Sequence, residues 1–288
     1  MQLGAVLPHS EIGSDPGAMR AYAQGLEALG VTHLLIYDHV VGADRNRPGG
    51  FEGAYDKDVA FHEPFVTLGF IAGCTTTIEL TTAVLILPQR QTVLVAKQAA
   101  ELAILSGNRF RLGVGVGWNT VEYESLGIPF GHRGKRQESQ VTFMRRLWTE
   151  PDAFSYHDEF HTMTLASILP RPTAPVPVLF GGSAPATLDR CGRIGDGWMP
   201  LGSPNEKAAD RIATIRRVRT ESGQPWESFT IHAQAQYRGG NPDVWRSHAG
   251  KWRELGATHL ALATHNAGPT DVDGHLARLA EYMTALTD

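Results

Sequence analysis

The chain has 288 residues, 42% of them apolar and 19% charged, and a net charge of −4 at neutral pH. That balance fits a soluble globular protein and argues against a nucleic-acid or anionic-membrane surface, either of which calls for a basic excess. Cys74 and Cys191 have neither metal-ligand nor disulfide-framework spacing, no amino-terminal signal segment is evident, and no run reaches the ~20 apolar residues of a membrane span; a cytoplasmic protein acting on a small molecule is expected.

Taken in chain order, short apolar runs alternate with amphipathic segments. Leu3–Leu7 reads as a strand. It leads to a helix near 15–29 that Ser14 or Asp15 caps, Pro16 opens and Gly30 closes, with Met19, Tyr22, Ala23, Leu26 and Leu29 on one face. His33–Tyr37 is the second strand. The stretch 38–63 after it is rich in Gly, Asp and Arg. Loops beyond ~12–15 residues in a compact domain are usually functional or disordered, and this one follows the carboxyl end of a strand, so it reads as a substrate lid. A helix near 64–74, a strand at Glu79–Leu85, a helix near 91–105, a strand at Phe110–Val114 and a helix near 131–148 continue the rhythm. Residues 150–175 break it: the β-prone runs Phe154–Tyr156 and Phe160–Leu165, then a proline-rich segment, predict an inserted hairpin. Strands at Val176–Phe180, Gly197–Pro200, Phe229–Ala235 and His259–Ala263 alternate with helices near 184–194, 204–222, 241–255 and 270–286. Ser203-Pro204-Asn205-Glu206 is read as a capping box opening the second of these helices, and Gly223 closes it. An α/β chain of this kind, without two evident halves, predicts one domain over residues 1–288. The expected fold is a single (β/α)8 TIM barrel, for which ~250 residues is typical, rather than an open doubly wound sheet.

Three stretches carry candidate chemistry. In Phe110–Trp118 one face of the strand holds Phe110, Leu112, Val114 and Val116 and the other holds Gly113, Gly115 and Gly117. Glycine weakens a strand, so three on one face mean that either a flat ligand or layered core side chains approach the backbone. A dinucleotide fingerprint fails, because Trp118 stands where its third glycine belongs and no helix follows directly. Tyr37-Asp38-His39 ends the second strand, where a carboxylate can fix a histidine tautomer or hold a ring hydroxyl, or where the residues simply make a turn. Gly181-Gly182-Ser183 precedes a helix start, suited either to an anion or to an ordinary serine cap. Weaker signals are the basic cluster His132–Arg136, the alternating face of His232, Gln234 and Gln236, and the rim Thr264-His265-Asn266. His157 and His161 lack a third metal ligand, and no nucleophile elbow, Walker lysine or paired-cysteine zinc site appears; no metal is expected.

In order and spacing these segments resemble the luciferase-like monooxygenase superfamily, in particular its actinobacterial branch that uses the deazaflavin coenzyme F-420. The resemblance rests on Asp38-His39, Thr81–Pro88, Ala96–Leu102, Ser106–Arg109, Gly113–Asn119 with Glu122, Leu126-Gly127 and Arg133-Gly134, then Gly181-Gly182-Ser183 and Gly195–Trp198. It implies a coenzyme ring lying across the barrel mouth over a bulge in the third strand, with a non-proline cis peptide at Ala83–Val84. It further implies that Asp38, His39, Gly115, Val116, Gly117, Trp118 and Asn119 border the ring and that Gly181, Gly182 and Ser183 hold the phosphate. Related sugar-phosphate dehydrogenases carry an acid where Trp118 stands, so the resemblance leaves His39 as the catalytic residue. It implies hydride transfer between F-420 and a small organic substrate, with reduced-FMN monooxygenation or a catalytically idle flavin-binding barrel as alternatives. A homodimer is also implied.

Overall fold

In the computed structural model, which describes residues 1–268 and 271–287, parallel strand pairing runs once round a ring and closes on itself. Strand β1 (Gln2–Val6) pairs with β2 (His33–Ile36), β2 with β3 (Glu79–Thr82), and β3 with its continuation β4 (Leu85–Ile86) pairs with β5 (Phe110–Gly115). The chain then leaves the ring for an antiparallel hairpin, β6 (Phe154–His157) and β7 (Thr162–Ala166). It returns as β8 (Val178–Gly181), β9 (Gly197–Met199), β10 (Thr230–Gln236) and β11 (His259–Ala263), and β11 closes on β1. Helices α1 (Pro16–Ala28), α2 (Pro64–Ala72), α3 (Thr92–Leu105), α4 (Thr120–Ser125), α5 (Arg133–Thr149), α6 (Pro185–Ile194), α7 (Glu206–Glu221), α8 (Pro242–Glu254) and α9 (Val272–Thr287) carry the chain back between ring strands. This is the expected (β/α)8 barrel with its inserted hairpin.

Local chemistry sets the helix ends. The Asp15 carboxylate accepts the Gly17 N–H and Pro16 fills the first helical position of α1. The start of α7 differs from the expected capping box: Asn205, not Ser203, accepts the Ala208 N–H, and the helix begins at Glu206. Asparagine is at least as good a cap as serine and stands nearer the first turn. The short helix α4, where no helix was expected, starts at Thr120 because the Asn119 side-chain oxygen, Oδ1, accepts the Val121 N–H at 3.0 Å. Thr270, expected at the start of the last helix, lies outside the described residues. No helix among the described residues is long and apolar enough to cross a membrane.

Most of the apolar core lies between the ring and its helices, where Leu34, Phe110, Leu112, Val114 and Phe180 meet Tyr22, Leu26, Leu68, Phe143 and Trp252. A smaller apolar cluster (Val6, Leu35, Leu179, Met199, Ala261 and Ala263) fills the ring itself. Below it, at the amino-terminal end, three histidine rings pack together: His232 on His259 at 3.7 Å between centroids, with His33 edge-on at 5.0 Å from His259. His232 was expected to line the mouth with Gln234 and Gln236. It pairs in register with His259, the first residue of β11, and is therefore at the opposite end.

The third ring strand decides the shape of the mouth. Between the pairs Thr81↔Arg111 and Leu85↔Val114 that strand advances four residues while β5 advances three. One residue is extra, which is a β-bulge, and the Ala83–Val84 peptide inside it is cis. The glycines opposite are its mould. A Cβ at Gly113 would lie 1.9 Å from the Thr82 carbonyl oxygen. At Gly115 it would lie 2.4 Å from Val84 Cγ2, and at Gly181 2.7 Å from Val84 Cγ1. With one methyl against each glycine, rotating Val84 relieves neither contact. The glycine face read from the sequence thus meets the bulge first, rather than a ligand.

Two tests follow from this packing. Gly115→Ala is expected to lower stability by about 1–3 kcal/mol, the usual range for overpacking, and Val84→Ala is expected to restore most of that loss in the double variant; denaturant melts of the four proteins measure the coupling. The histidine stack adds an acid limit. Burial, His259 and Arg111 hold His33 at a pKa of about 3, and burial with the neighbouring histidines holds His232 well below its usual range. The unfolded chain therefore binds protons that the folded chain refuses once pH falls below about 6.5. Stability contributed by these neutral rings is complete above that pH and is lost below it, by about 1.4 kcal/mol per pH unit for each ring. Melts between about pH 7.5 and pH 5 should show this slope, and His33→Phe should flatten it.

Candidate active site

The carboxyl ends of the ring strands form the mouth, the usual place for chemistry in this architecture. Asp38 and His39 follow β2 but do different work. Asp38 is buried, and both its oxygens are engaged: Oδ2 accepts the Ile86 N–H at 2.8 Å and Oδ1 accepts from Arg90 at 2.7 Å. Arg90 also reaches Glu63 at 3.1 Å. Asp38 thus braces the segment just past the bulge instead of offering an oxygen to a ring hydroxyl, a correction to its expected role. The carboxylate that sets His39 comes from elsewhere. Glu122, buried on α4, lies 3.1 Å from His39 Nδ1 through the same oxygen that accepts the Val40 N–H at 2.7 Å.

Aromatic groups enclose His39. Phe61, Tyr55 and Trp118 lie at 4.6, 5.1 and 5.8 Å between ring centroids, and Phe51 stacks on Trp118 at 6.1 Å. Tyr55, Phe61 and Phe51 all belong to the 38–63 loop, which therefore folds over the mouth as a lid. Beneath it a hollow of about 70 Å3 is bordered by His39, Val40, Tyr55, Phe61 and Asn119. Across the mouth, His9 stacks on Phe61 at 4.1 Å, and its Nδ1 lies 3.2 Å from Nε2 of His265, on the rim after β11. Burial and the neighbouring His265 press the His9 pKa down to about 3, so this ring is neutral near pH 7. Tyr37 donates to Gln234 at 2.7 Å and packs with Ala83 and Val84 on the apolar cluster inside the ring.

The remaining expected residues divide. Trp118 is 45% exposed at the mouth. The Val116 carbonyl accepts from the Tyr123 hydroxyl at 2.8 Å, and that of Gly117 accepts from Arg133 at 3.3 Å, so elements downstream of β5 fix both. Asn119 is buried, and its side-chain oxygen caps α4 while the residue borders the hollow beside His39. Gly115 and Gly181 house Val84, and the Gly182 carbonyl accepts from the Trp198 indole at 2.8 Å. Ser183 is not a cap: Ala184 holds that position without a side-chain hydrogen bond, and the Ser183 hydroxyl has no partner among the described residues. One turn further along α6, the guanidinium of buried Arg190 donates to Thr187 at 3.4 Å and packs against the first turn of α5 at Gly134, and its Nε is unpartnered. Helix α5 also starts without a side-chain cap.

Sequence reasoning missed His9 altogether, had Phe61 only as part of the lid stretch, and had Glu122 without its contact to His39. Glu122 sits three residues after a cap, where an acid is ordinary helix chemistry, and His9 and Phe61 lie in loops without periodicity. Among the described residues no cluster of His, Cys, Asp and Glu has metal-binding geometry.

The comparisons with known proteins agree with this architecture. Two uncharacterized proteins of Mycobacterium tuberculosis are similar in sequence: one is 37% identical over 215 residues (73% of this chain and 74% of the relative), the other 28% identical over 294 residues (98% and 99%). Among solved structures, the monooxygenase RslO1 from Streptomyces bottropensis matches with a TM-score of 0.81 at 17% identity, covering all of both chains. An F-420-dependent secondary alcohol dehydrogenase, in complex with an F-420–acetone adduct, matches with a TM-score of 0.77 at 16% identity, covering 100% of this chain and 99% of that one. At such identities these two show a shared fold. The family model for luciferase-like monooxygenases matches residues 1–285, and the chain belongs to that family.

Proposed function

We propose that this barrel moves a hydride between the deazaflavin coenzyme F-420 and a small organic substrate. The observation that carries the choice of coenzyme is unneutralised positive charge beside the phosphate position. Arg133, Lys135 and Arg136 crowd the start of α5, Arg190 lies against it, and none of these four makes an ion pair among the described residues. The two helix starts without side-chain caps and the free Ser183 hydroxyl suit one phosphate, whether from FMN or from F-420. The surplus cations suit the additional carboxylates of the F-420 tail, which FMN lacks. A reduced-FMN monooxygenase is the second reading, favoured by the aromatic lid that shields the mouth from water.

When bound, the coenzyme supplies a ring carbon that gives or takes hydride. The chain's own groups would do the rest. Ala83 and Val84 form an apolar floor, and the lid aromatics exclude water. Glu122 accepts the His39 Nδ1 proton, leaving Nε2 with its lone pair. That nitrogen takes the proton of a substrate hydroxyl or, once protonated, returns one to a carbonyl oxygen.

Titration with F-420 and with FMN, followed by fluorescence, tests the reading. Saturable F-420 binding is expected, and tight FMN binding with none of F-420 would overturn it. His39→Ala is expected to keep coenzyme binding and to slow turnover at least ~10-fold, within reach of the ~10²–10⁴-fold typical of general acid–base catalysis. Glu122→Gln should shift the pH profile of turnover while leaving coenzyme affinity unchanged.

A further inference from the structure

A second hollow, about 330 Å3, opens beside the bulge between the end of β10 and α8, bordered by Tyr37, Leu201, Gln234, Arg238, Val244 and His248 among others. That size is at the lower end of small-molecule pockets. Its inner end is the Tyr37–Gln234 pair, and Tyr37 packs on the same apolar cluster as Ala83 and Val84, so one residue serves both the hollow and the ground beside the bulge. Its walls include exposed Leu201 and Val244. No acidic residue lines it, although acids outnumber bases in the chain as a whole.

Its cations are also unspent. Arg238 makes no ion pair among the described residues, and neither does Lys251, which borders the adjoining surface hollow with His248. The acid of that adjoining hollow, Asp243, is tied to Arg246 at 2.8 Å. The His248 Nδ1 is buried without a partner, and Arg238 and Lys251 join burial in lowering its pKa, as expected where positive potential is uncompensated. The backbone that presents Arg238 is built for it. Arg238, Gly239 and Gly240 take φ of 45°, 79° and 76° in succession, a left-handed run that disfavours arginine. The Tyr237 carbonyl, accepting from Gly240 N–H at 3.3 Å and from the Trp245 indole at 3.0 Å, anchors the turn. A non-glycine residue held in such a conformation points to function.

We infer that this hollow receives the carboxylate end of a small organic acid, with Arg238 as its partner, and that such acids are the substrate class of the mouth. The apolar walls take the acid's hydrocarbon body, while Tyr37 and Gln234 meet the end nearer the bulge. The substrate assignment rests on the oxidoreductase reading above; the binding step does not. Calorimetric titration of the chain without coenzyme, using 3-phenylpropanoate and its neutral isostere 3-phenylpropanamide, tests it. The acid is expected to bind at least ~10-fold more tightly, in keeping with a charge-assisted hydrogen bond. Arg238→Gly is expected to reduce the acid to the amide's affinity while leaving the melting temperature unchanged or higher, because glycine suits the left-handed turn; a purely structural arginine would not give that split. Arg238→Gln should also lose the preference. Equal binding of acid and amide, binding of neither, or a preference that survives both substitutions would overturn the inference. Since no coenzyme is present, its failure is distinct from a failed F-420 titration.

Discussion

Val84 has nowhere to turn. Its two methyls press on Gly115 and Gly181, the Thr82 carbonyl presses on Gly113, and the Asp38–Arg90 pair holds the chain immediately beyond at Ile86. The rest of the mouth is arranged around this locked bulge. Tyr37 packs beside it, and the four-residue advance against β5 sets where Leu85 and Ile86 resume pairing. A bulge of this kind re-aims side chains and is common next to active sites. Here it lifts Ala83 and Val84 out of the packed interior as a small apolar platform, which is the surface a flat ring needs. Glycines on the neighbouring strands make it possible by offering no side chain where the platform stands.

Charge is partitioned around that platform. The centre of the mouth is aromatic: burial and His265 hold His9 uncharged near pH 7, the Glu122 carboxyl group backs His39, and Phe61 lies between the two histidines. Among the described residues, cations without an ion-pair partner stand at two edges, one where Arg190 meets the start of α5 and the other at Arg238 and Lys251. Under the proposed hydride transfer, such a layout would let the reacting centre sit in a region of low polarity while anionic groups bind at its margins, where solvated charge is less costly. The Glu122 contact at His39 Nδ1 leaves Nε2 as the ring nitrogen free of a protein partner among the described residues.

The alternation of apolar runs and helical stripes made the barrel readable, because period-2 and period-3.6 patterns report burial directly. The hairpin at 154–166 and the lid were legible as breaks in that rhythm. What failed to read was long-range geometry. Asp38 and His39 are adjacent, and proximity suggested that one carboxylate serves the other; a strand end sends neighbouring side chains to opposite sides, so Asp38 turned to Arg90 and Glu122 came to His39 from 83 residues away. The glycines of β5 fitted a ligand or packed side chains equally well, because nothing in the sequence shows that Val84 fills the space. His232 looked like a mouth residue because alternation gives the face of a strand and not the height along it. Only the register with His259 places it at the base.

A crystal structure of the chain with bound F-420 tests the central claim most directly. The account places one face of the deazaflavin ring within about 4 Å of Ala83 and Val84, a van der Waals contact, with its opposite face open toward His39 and Tyr37. A ring seated away from the bulge, with the Val84 methyls still against the glycines but touching no ligand, would contradict it.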